Sequence, residues 1–588
     1  MPDPTDRQPA IPATQHAIQF TGPGQLVHNR AKAVHVPGPT QLLLRVEAVG
    51  ICFSDTKLLH AFTGHLRKAE VTTGLTPAEL AGIPSYVPGD LPTVPGHEVA
   101  ARIVEIGAAV TRHAVGERVL VQTDYRHLLT PGSNAAFGYN FEGGLQEYVL
   151  LDERMIIEPG TGERFLIPVG EDPSGSAVAL LEPWACVEAS YACRERGTLA
   201  PGGRLLVVAD AGHEVDGLMP LLAAASPASV VVACAGDPQR AEVEAALEAA
   251  LGSAAPVLRA IAGPDGLAPQ SFDDIVYFGA DPARIEHLQD LLATRGVIDL
   301  VLGGASVGRP VAIDVGRIHY DLLRWVGTPG GDASEGYRLA PADGELRAGD
   351  RVAVIGAAGP MGFMHVIRTV TCGLPGVSLT AVDIDDARLA QLGGIAGPVA
   401  SSRGVHAVFL NARTAQIEPG FDYVGVMVPA PPIVAQAVEL ASPGARINIF
   451  AGFAAGTRAP LDLDAVIGGH LYLFGTSGSG IPDMQVVLHK LERGDLDTNL
   501  SVDAVTGMEG VRDALAAVEA RTSGGKIVVY PQLHELGMVR LSELPDRLPT
   551  VAAQLHDGRW TRAAEEALLA AAGDLAAAGD APGRRTAG

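Results

Sequence analysis

The chain has 588 residues, of which 47% are hydrophobic and 19% are charged, and its formal net charge is −24. This composition is typical of a globular protein with several cored domains. The negative charge opposes binding to nucleic-acid backbones and anionic membranes, so we predict neither kind of partner. Five scattered cysteines are too few for a disulfide framework, and the N-terminus has no signal-peptide pattern. Together these features favour a cytoplasmic protein.

The N-terminal part of the chain has the pattern of a β-rich module. A polar, proline-rich stretch, residues 1–15, is predicted to be disordered. Residues 16–185 then contain short alternating apolar runs separated by glycine and proline, which is typical of an all-β barrel. We expect residues 480–532 to complete this module with a returning strand. The tail, residues 533–588, contains an alanine- and leucine-rich helix to which we assign no chemistry.

The middle of the chain contains an internal repeat. From residue 201 strands alternate with helices, which indicates parallel βαβ units. The segment Pro201-Gly-Gly-Arg-Leu-Leu-Val-Val208 matches Ala348-Gly-Asp-Arg-Val-Ala-Val-Ile355 at an offset of 147 residues, and two later matches have offsets of 149 and 148. So constant an offset over three elements predicts two successive nucleotide-binding-like domains. We place them at residues 201–330 and 345–479.

The second copy has the pattern of a dinucleotide site. Its first strand ends in a glycine-rich loop, and glycines there let backbone N–H groups approach a pyrophosphate at the start of the following helix. The next strand ends in Asp383, 21 residues after Gly362, close to the ~20 expected for the acid that holds a ribose hydroxyl. Since Asp383 would repel a 2′-phosphate, NAD is favoured over NADP. The predicted cofactor-binding residues are Gly356, Gly359, Pro360, Met361, Gly362 and Asp383.

The first copy lacks this pattern. Its loop, Ala209-Asp-Ala-Gly-His-Glu-Val215, has alanine and valine where the second copy has its first and last glycines. Asp210 and Glu214 of this loop would lie against the phosphates and repel them, and Cys234 stands at the position of Asp383. We therefore predict a degenerate copy that serves as a structural or interaction domain. A second effector site for another nucleotide is the alternative.

The β module contains the ligand types of a catalytic zinc. Cys52 lies 45 residues before His97, which is followed directly by Glu98. A thiolate, an imidazole and a carboxylate are typical ligands of a zinc ion that keeps one position open. A further carboxylate candidate, Glu182, lies in the sequence Leu-Leu-Glu-Pro-Trp. The spacing alone does not define a zinc site, because a lone cysteine is usually a buried apolar residue.

Several motifs in a fixed order carry a resemblance to a known family. Gly-Ile-Cys-x-Ser-Asp, Pro-Gly-His-Glu, Leu-Glu-Pro and the glycine loop resemble the zinc-dependent medium-chain alcohol and polyol dehydrogenases. The resemblance implies a GroES-like barrel and a Rossmann domain with the active site in a cleft between them. It implies dimers or tetramers as well. It also implies four metal-ligand candidates, Cys52, His97, Glu98 and Glu182, and two catalytic residues, Ser54 as the first hydroxyl of a proton relay and Asp55 as the residue that orients the site.

Three departures from the family pattern refine this expectation. No cysteine falls between Glu98 and Tyr148, so the four-cysteine structural zinc lobe of many relatives is absent. The interval between Cys52 and His97 is lengthened by an insertion around residues 60–94, and the duplicated domain lies outside the family plan. The first two departures point away from simple alcohol dehydrogenases. The longer interval, the stretch from Gly138 to Tyr148 and the stretch from Phe474 to Gly478 most resemble the sugar and polyol reductase branch, the L-sorbose 1-phosphate reductase-like members.

The sequence therefore predicts an α/β fold with an all-β part, in which a GroES-like barrel is joined to two doubly wound Rossmann-type domains. The predicted function is a Zn²⁺-dependent transfer of hydride between NAD(H) and an alcohol, a polyol or a sugar-derived carbonyl. Two alternatives remain at this point. One is a zinc-free quinone- or enoyl-type reductase, and the other is a non-catalytic NAD-sensing scaffold that uses residues 201–330 to bind a partner.

Overall fold

The computed structural model describes residues 11–234, 236–252, 257–454 and 456–579. The chain divides into two compact units, of which the first comprises Met1–Ala185 and Ser479–Gly588 and the second Cys186–Gly478. Most of the predicted disordered N-terminus lies outside the described residues. Its predicted end at residue 15 is wrong, because the first strand begins at Thr14. Gln15 is buried there, and its side chain accepts a hydrogen bond from the backbone N–H of Tyr148.

The N-terminal part of the first unit is mainly antiparallel β-structure. Its strands are β1 (Thr14–Gly22), β2 (Gln25–Ala33), β3 (Gln41–Gly50), β4 (Glu98–Ile106), β5 (Arg118–Val121), β6 (Asp124–Thr130), β7 (Ser133–Ala136), β8 (Tyr148–Asp152) and β9 (Leu166–Pro168). Its helices are α1 (Phe53–Ala61), α2 (Pro77–Ala81), α3 (Glu153–Ile156), α4 (Gly175–Ala179) and α5 (Leu181–Ala192), the last of which continues into the second unit. β3 pairs with both β4 and β8, so the predicted barrel-like module is built around this strand.

The first half of the second unit is a parallel α/β layer structure. Its strands are β10 (Arg204–Ala209), β11 (Ser229–Cys234), β12 (Val257–Ala260), β13 (Phe272–Phe278), β14 (Leu292–Val301), β15 (Val311–Asp314) and β16 (Arg324–Thr328). Its helices are α6 (Leu218–Ala224), α7 (Asp237–Leu251), α8 (Pro282–Leu291), α9 (Val315–Tyr320) and α10 (Ser334–Leu339). Six of the strands form one sheet in the order β12-β11-β10-β13-β14-β16.

The second half of this unit repeats the same architecture. Its strands are β17 (Arg351–Ile355), β18 (Ser378–Asp383), β19 (His406–Asn411), β20 (Phe421–Val426), β21 (Ala441–Ile449), β22 (Arg458–Leu461) and β23 (Tyr472–Phe474). Its helices are α11 (Pro360–Val370), α12 (Asp386–Ser402), α13 (Pro431–Leu440) and α14 (Leu463–Gly468). The sheet order, β19-β18-β17-β20-β21-β23, is that of the first half. The predicted fold class, with two Rossmann-like parallel sheets, is confirmed.

The C-terminal part of the chain returns to the first unit. It contains α15 (Ile481–Glu492), β24 (Val502–Thr506), α16 (Val511–Glu519), β25 (Lys526–Val529), β26 (Val539–Arg540), α17 (Leu544–Arg547), α18 (Pro549–Ala552) and α19 (Arg562–Gly579). β25 pairs with β3, as the returning strand was expected to do. β26 pairs with β24, so the sheet extends beyond the predicted end at residue 532.

The helical tail is anchored by a buried carboxylate. In the first turn of α19, the Glu565 oxygens accept hydrogen bonds from the backbone N–H groups of Gly175 and Ser176 at the start of α4. The Tyr530 hydroxyl donates to the same carboxylate. An acid at this place satisfies N–H groups that have no partner within the helix. None of the helices in the described ranges combines the length and the apolar character needed to cross a membrane.

Candidate active site

Pairing between β3 and β4 brings the predicted metal ligands together. Gly50, the last residue of β3, lies opposite Glu98, the first residue of β4. Cys52 follows two residues later as the N-cap of α1, and His97 precedes Glu98. A Cβ atom on residue 50 would lie 2.0 Å from Glu98 Oε2, so glycine is needed for the carboxylate to lie over the strand end.

Three side chains form a cluster with the spacing of a metal site. The ligand atoms of Cys52, His97 and Glu98 all lie within 4.8 Å of one another. His97 and Glu98 are buried and Cys52 is half-buried. The Oε2 atom of Glu98 is buried with no hydrogen-bond partner, which is the condition of a carboxylate oxygen placed to bind a cation. The donor set therefore fits zinc.

Asp55 orders this cluster from the first turn of α1. One of its carboxylate oxygens, Oδ2, accepts a hydrogen bond from the Cys52 backbone N–H at 2.9 Å. The other, Oδ1, accepts from the Gly96 N–H at 3.2 Å and lies 3.2 Å from His97 Nδ1. Burial opposes charging of the imidazole, but the charge of Asp55 outweighs it and raises the pKa of His97. This contact directs the other ring nitrogen, Nε2, towards a ligand role.

Ser54 lies next to the sulfur ligand. Its Oγ atom is 3.5 Å from Cys52 Sγ, and its side chain is half-buried on the first turn of α1. The hydroxyl is thus adjacent to the cluster, which is the place that a first proton-relay group requires.

Lys526 is a site residue that the motif analysis missed. It opens β25, is buried, and donates a hydrogen bond from Nζ to Glu98 Oε1. Burial alone would lower the pKa of Lys526, but the neighbouring Glu98 and Cys52 raise it. A lysine at the head of the apolar strand Lys-Ile-Val-Val was the available signal, because a buried charge usually has a charged partner.

Glu182 lies near the cluster but does not belong to its inner group. It is buried in the first turn of α5. Among the described residues, the group whose ligand atoms all lie within 4.8 Å consists of Cys52, His97 and Glu98, and it does not include Glu182. Burial and the charge of Glu98 raise the pKa of Glu182 to about 7.

The second unit contains the predicted dinucleotide loop. Gly356 follows β17 with φ +84°, a conformation that glycine adopts freely, and Gly359 is the N-cap of α11. A Cβ atom on Gly362 would lie 2.1 Å from the Gly356 carbonyl oxygen, so the helix packs on the loop only with glycine there. Pro360 and Met361 form the first turn of α11.

Asp383 ends β18 beside this loop. Its Oδ2 atom accepts a hydrogen bond from the Ala358 N–H at 3.0 Å, and its Oδ1 accepts from Ile384 N–H at 2.8 Å. The Arg388 guanidinium lies 3.4 Å from the same carboxylate. The acid is therefore at the predicted edge of the loop, with a cation next to it that the sequence analysis did not consider.

The corresponding loop of the first copy is built differently. α6 does not begin until Leu218, although β10 ends at Ala209, so no helix N-terminus follows the strand directly. Asp210 accepts a hydrogen bond from the Tyr277 hydroxyl and lies 3.3 Å from the Arg284 guanidinium. The acid is thus engaged within its own domain.

Part of the chain is similar to known proteins. Residues 38–160 match the family model of the alcohol dehydrogenase GroES-like domain. The chain is 29% identical to protein YggP of Escherichia coli (strain K12), over 46% of this chain and 68% of that one. It is 29% identical to D-altritol 5-dehydrogenase of Agrobacterium fabrum, over 29% of this chain and 44% of the relative. It is 28% identical to L-sorbose 1-phosphate reductase of Klebsiella pneumoniae, over 26% of this chain and 38% of the relative.

These matches concern one part of the chain. Residues 38–160 match an alcohol dehydrogenase GroES-like domain, and the predicted resemblance to zinc-type alcohol and polyol dehydrogenases is confirmed. The chain spans less than half the length of the two named sugar and polyol enzymes. The activity and the substrate of the whole chain are therefore matters for proposal.

Proposed function

We propose that this chain is a zinc-dependent oxidoreductase that transfers a hydride between NAD(H) and an alcohol, a polyol or a sugar-derived carbonyl. The observation that carries the proposal is the cluster of Cys52, His97 and Glu98 with their ligand atoms within 4.8 Å of one another. The polyol and sugar names among the relatives support the substrate class.

The cluster residues would hold the metal, and their neighbours would keep the donor set in place. A zinc ion in such a site acts as a Lewis acid that lowers the pKa of a substrate hydroxyl. Cys52, His97 and Glu98 would supply three ligand atoms, with the nearby Glu182 as the alternative carboxylate, and the fourth position would be left for the substrate oxygen. Asp55 fixes the tautomer of His97 by its contact at Nδ1.

Ser54 and Lys526 have separate tasks in this scheme. The Ser54 hydroxyl, 3.5 Å from Cys52 Sγ, would accept the proton released by the substrate hydroxyl and pass it outward. Lys526 holds one oxygen of Glu98 by a buried ion pair and leaves the other, Oε2, for the metal. It also offsets one of the negative charges that the thiolate and the carboxylates bring into a buried place.

The second Rossmann copy would bind the dinucleotide. Gly356 and Gly362 let the chain approach the pyrophosphate at the start of α11, and Asp383 would accept from a ribose hydroxyl. A dinucleotide held there would supply the nicotinamide ring that takes up or gives the hydride. The adjacent Arg388 keeps NADP as a second candidate cofactor, because arginine beside the ribose acid can hold a 2′-phosphate.

Metal analysis and one substitution test the zinc part of the proposal. We expect about one zinc per chain and loss of both the zinc and the turnover of polyols in Cys52→Ser. The control is Cys372→Ser, a half-buried thiol of the second unit, which should keep both. Full activity of Cys52→Ser without bound metal would favour the zinc-free reductase instead.

Ligand titration tests the cofactor part. Wild-type chain is titrated with NADH and NADPH, and we expect NADH to bind more tightly because Asp383 is buried at the ribose edge of the loop. Arg388→Ala should leave NADH binding nearly unchanged and weaken any binding of NADPH. If the wild-type chain prefers NADPH and Arg388→Ala loses that preference, the proposed cofactor becomes NADP. If the chain binds neither NADH nor NADPH, the proposed oxidoreductase function is contradicted.

A further inference from the structure

The two Rossmann copies pair with each other through equivalent strands. β15 of the first copy and β22 of the second are antiparallel neighbours, with Ala312 opposite Pro460. The two copies are related by an offset of 148 residues, which also relates the N-cap residues Asp314 and Asp462. At this offset Ala312 is the counterpart of Pro460, the residue opposite it. The strand pair is therefore symmetric about the point where these two residues meet. This is the isologous contact of a twofold dimer, made here within one chain.

The contact is also continuous with the cores of both copies. Buried residues on either side of β15 and β22 belong to a single hydrophobic cluster, which includes Ile313 and Ile318 of the first copy and Leu461 and Val466 of the second. Two copies that share one core are fixed relative to each other. The first copy thus occupies the surface of the second as a partner subunit would.

The symmetry places a helix of each copy against the last strand of the other. A Cβ atom on Gly475, directly after β23, would lie 3.0 Å from the Cα atom of His319 in α9. Its counterpart Gly327, in β16, would in the same way meet the side chain of Ile467 in α14, at 2.7 Å. At the offset of 148, His319 and Ile467 are themselves counterparts. The interface is symmetric in backbone and different in side chains.

One of these differences lies where the first copy meets the carboxyl edge of the second. His319 Nδ1 lies 3.2 Å from the carbonyl oxygen of Ile449, the last residue of β21. The Val315 N–H donates to the Thr457 carbonyl at 3.1 Å, so α9 holds the chain that leaves β21 at two places. Because the strands are parallel, Ile449 lies at the same sheet edge as the glycine loop and Asp383.

The opposite contact is locked by a carboxylate. Asp464 of α14 accepts from the N–H groups of Val307 and Gly308, both at 2.8 Å, and from the Ser306 hydroxyl. These residues leave β14 in the copy whose loop lacks the glycine pattern. The counterpart of Asp464 is Gly316, which offers no such side chain to the dinucleotide-binding copy. The carboxyl edge of the first copy is therefore fixed by the Asp464 side chain, whereas that of the second copy is held by the His319 contact and by a backbone hydrogen bond.

We infer that the first copy is a built-in partner subunit whose helix α9, through His319, positions the carboxyl edge of the second copy for the nicotinamide half of the dinucleotide. In a doubly wound sheet the adenosine half lies on the side of the second strand, here β18 with Asp383, and the other mononucleotide lies over the fourth to sixth strands. β21 and β23 belong to that second half. The inference rests on the proposed dinucleotide site, and it makes His319 a positioning residue.

Two ligands that differ only in the nicotinamide half test this inference. NADH and ADP-ribose, which lacks the nicotinamide, are titrated into the full chain with zinc bound. In His319→Leu we expect the Kd for NADH to rise by roughly three- to tenfold, the equivalent of one hydrogen bond, with the Kd for ADP-ribose unchanged. His319→Asn keeps a donor near the Nδ1 position and should restore most of the NADH affinity.

The symmetry supplies the control. Ile467→Leu changes the counterpart position, which faces the copy without a dinucleotide loop, and should alter neither Kd. The inference is overturned if His319→Leu changes both Kd values alike or neither of them, or if two NADH molecules bind per chain. A wild-type chain that binds neither ligand would instead contradict the proposed function, so the two failures are distinguishable.

Discussion

The ion pair between Lys526 and Glu98 puts two opposite charges into the interior of the first unit. Both side chains are buried, and Glu98 also contributes to the metal cluster. Removing one member of such a pair leaves the other charge without compensation, whereas removing both can be nearly neutral. The pair therefore links the stability of the unit to the composition of its site.

This link predicts the effect of substituting the lysine. In the presence of a zinc chelator, Lys526→Met should lower the free energy of unfolding by about 3–5 kcal/mol, because Glu98 remains buried and unpaired. Lys526→Arg keeps the positive charge and should lower the free energy of unfolding by less. The double variant Glu98→Gln, Lys526→Met should recover much of the stability lost in Lys526→Met. Denaturant unfolding measures all three. If Lys526→Met changes the free energy of unfolding by less than about 1 kcal/mol, the ion pair contributes no more than an exposed salt bridge does.

Because of His365, we expect the stability of the second unit to depend on pH. It is fully buried in α11, and its Nδ1 lies 2.9 Å from the Tyr191 hydroxyl oxygen. Burial, assisted by the charge of Arg368, lowers the pKa of His365 to about 3. Below a pH near 6.5 the unfolded chain therefore binds a proton that the folded chain does not. The contribution of this residue to stability is present above pH 6.5 and is lost as the pH falls towards 3.

The corresponding measurement compares wild type with His365→Gln, which keeps a hydrogen-bonding group but does not titrate. Between pH 7 and pH 5 the wild type should lose about 2 kcal/mol more unfolding free energy than the variant. Parallel pH profiles for the two proteins would show that His365 takes up its proton at the same pH in the folded and unfolded states.

Single residues show what motif analysis can and cannot predict. Residue type and resemblance predict Cys52, His97 and Glu98 as metal ligands, and the structure brings their side chains together. Lys526 was overlooked because its partner lies 428 positions away, and no local pattern reveals a contact at that separation. Arg388 was overlooked for a different reason: it stands in the first turn of a helix, where a charged side chain is ordinarily solvated.

At the scale of elements, the turn from β17 into α11 depends on glycine at both ends. Gly362 is packed against the Gly356 carbonyl, so a methyl group there would push the helix away from the loop. In Gly362→Ala we expect the Kd for NADH to rise by about tenfold or more, because one or two backbone hydrogen bonds to the pyrophosphate would be lost. The zinc content should remain unchanged.

A matched substitution in the neighbouring helix separates this effect from a general loss of stability. Gly394 lies in α12 with open space around its Cα atom. Gly394→Ala should leave NADH affinity unchanged and raise stability slightly, since alanine is favoured in helices. Equal losses of affinity in both variants would argue against a specific role for the Gly356–Gly362 packing.

Elements were predictable where the pattern was local and periodic. The strand–loop–helix of the second copy and the repeat itself follow from sequence alone, because glycine position and a constant offset are visible along the chain. Two boundaries were wrong. Thr14 and Gln15 belong to β1, and β26 extends the sheet beyond residue 532. Both errors concern edge strands. Thr14 and Gln15 pair with Ala33 and Lys32 across the β1–β2 hairpin, and β26 pairs with β24, but the composition of these short stretches does not reveal either pairing.

At the scale of the whole molecule, the two units should respond to different ligands. The metal cluster belongs to the first unit, and the dinucleotide loop belongs to the second. Binding stabilises the part that binds, by mass action. Hydrogen exchange should therefore show faster exchange in β3, α1 and β4 after zinc removal, with β17 and β18 unaffected. NADH should slow exchange in β17 and α11. Unchanged exchange at β3 and β4 after chelation would contradict the proposed metal site.

The pairing of β15 with β22 has a consequence for how this protein can change over time. In a symmetric homodimer every substitution occurs twice, so each side of the contact must accept the same residue. Here the two sides are encoded separately, and a residue such as His319 can differ from its counterpart Ile467. Because the halves are covalently joined, dilution cannot separate them. The first copy can therefore acquire residues that serve only the interface, while the second copy keeps the residues of its dinucleotide loop.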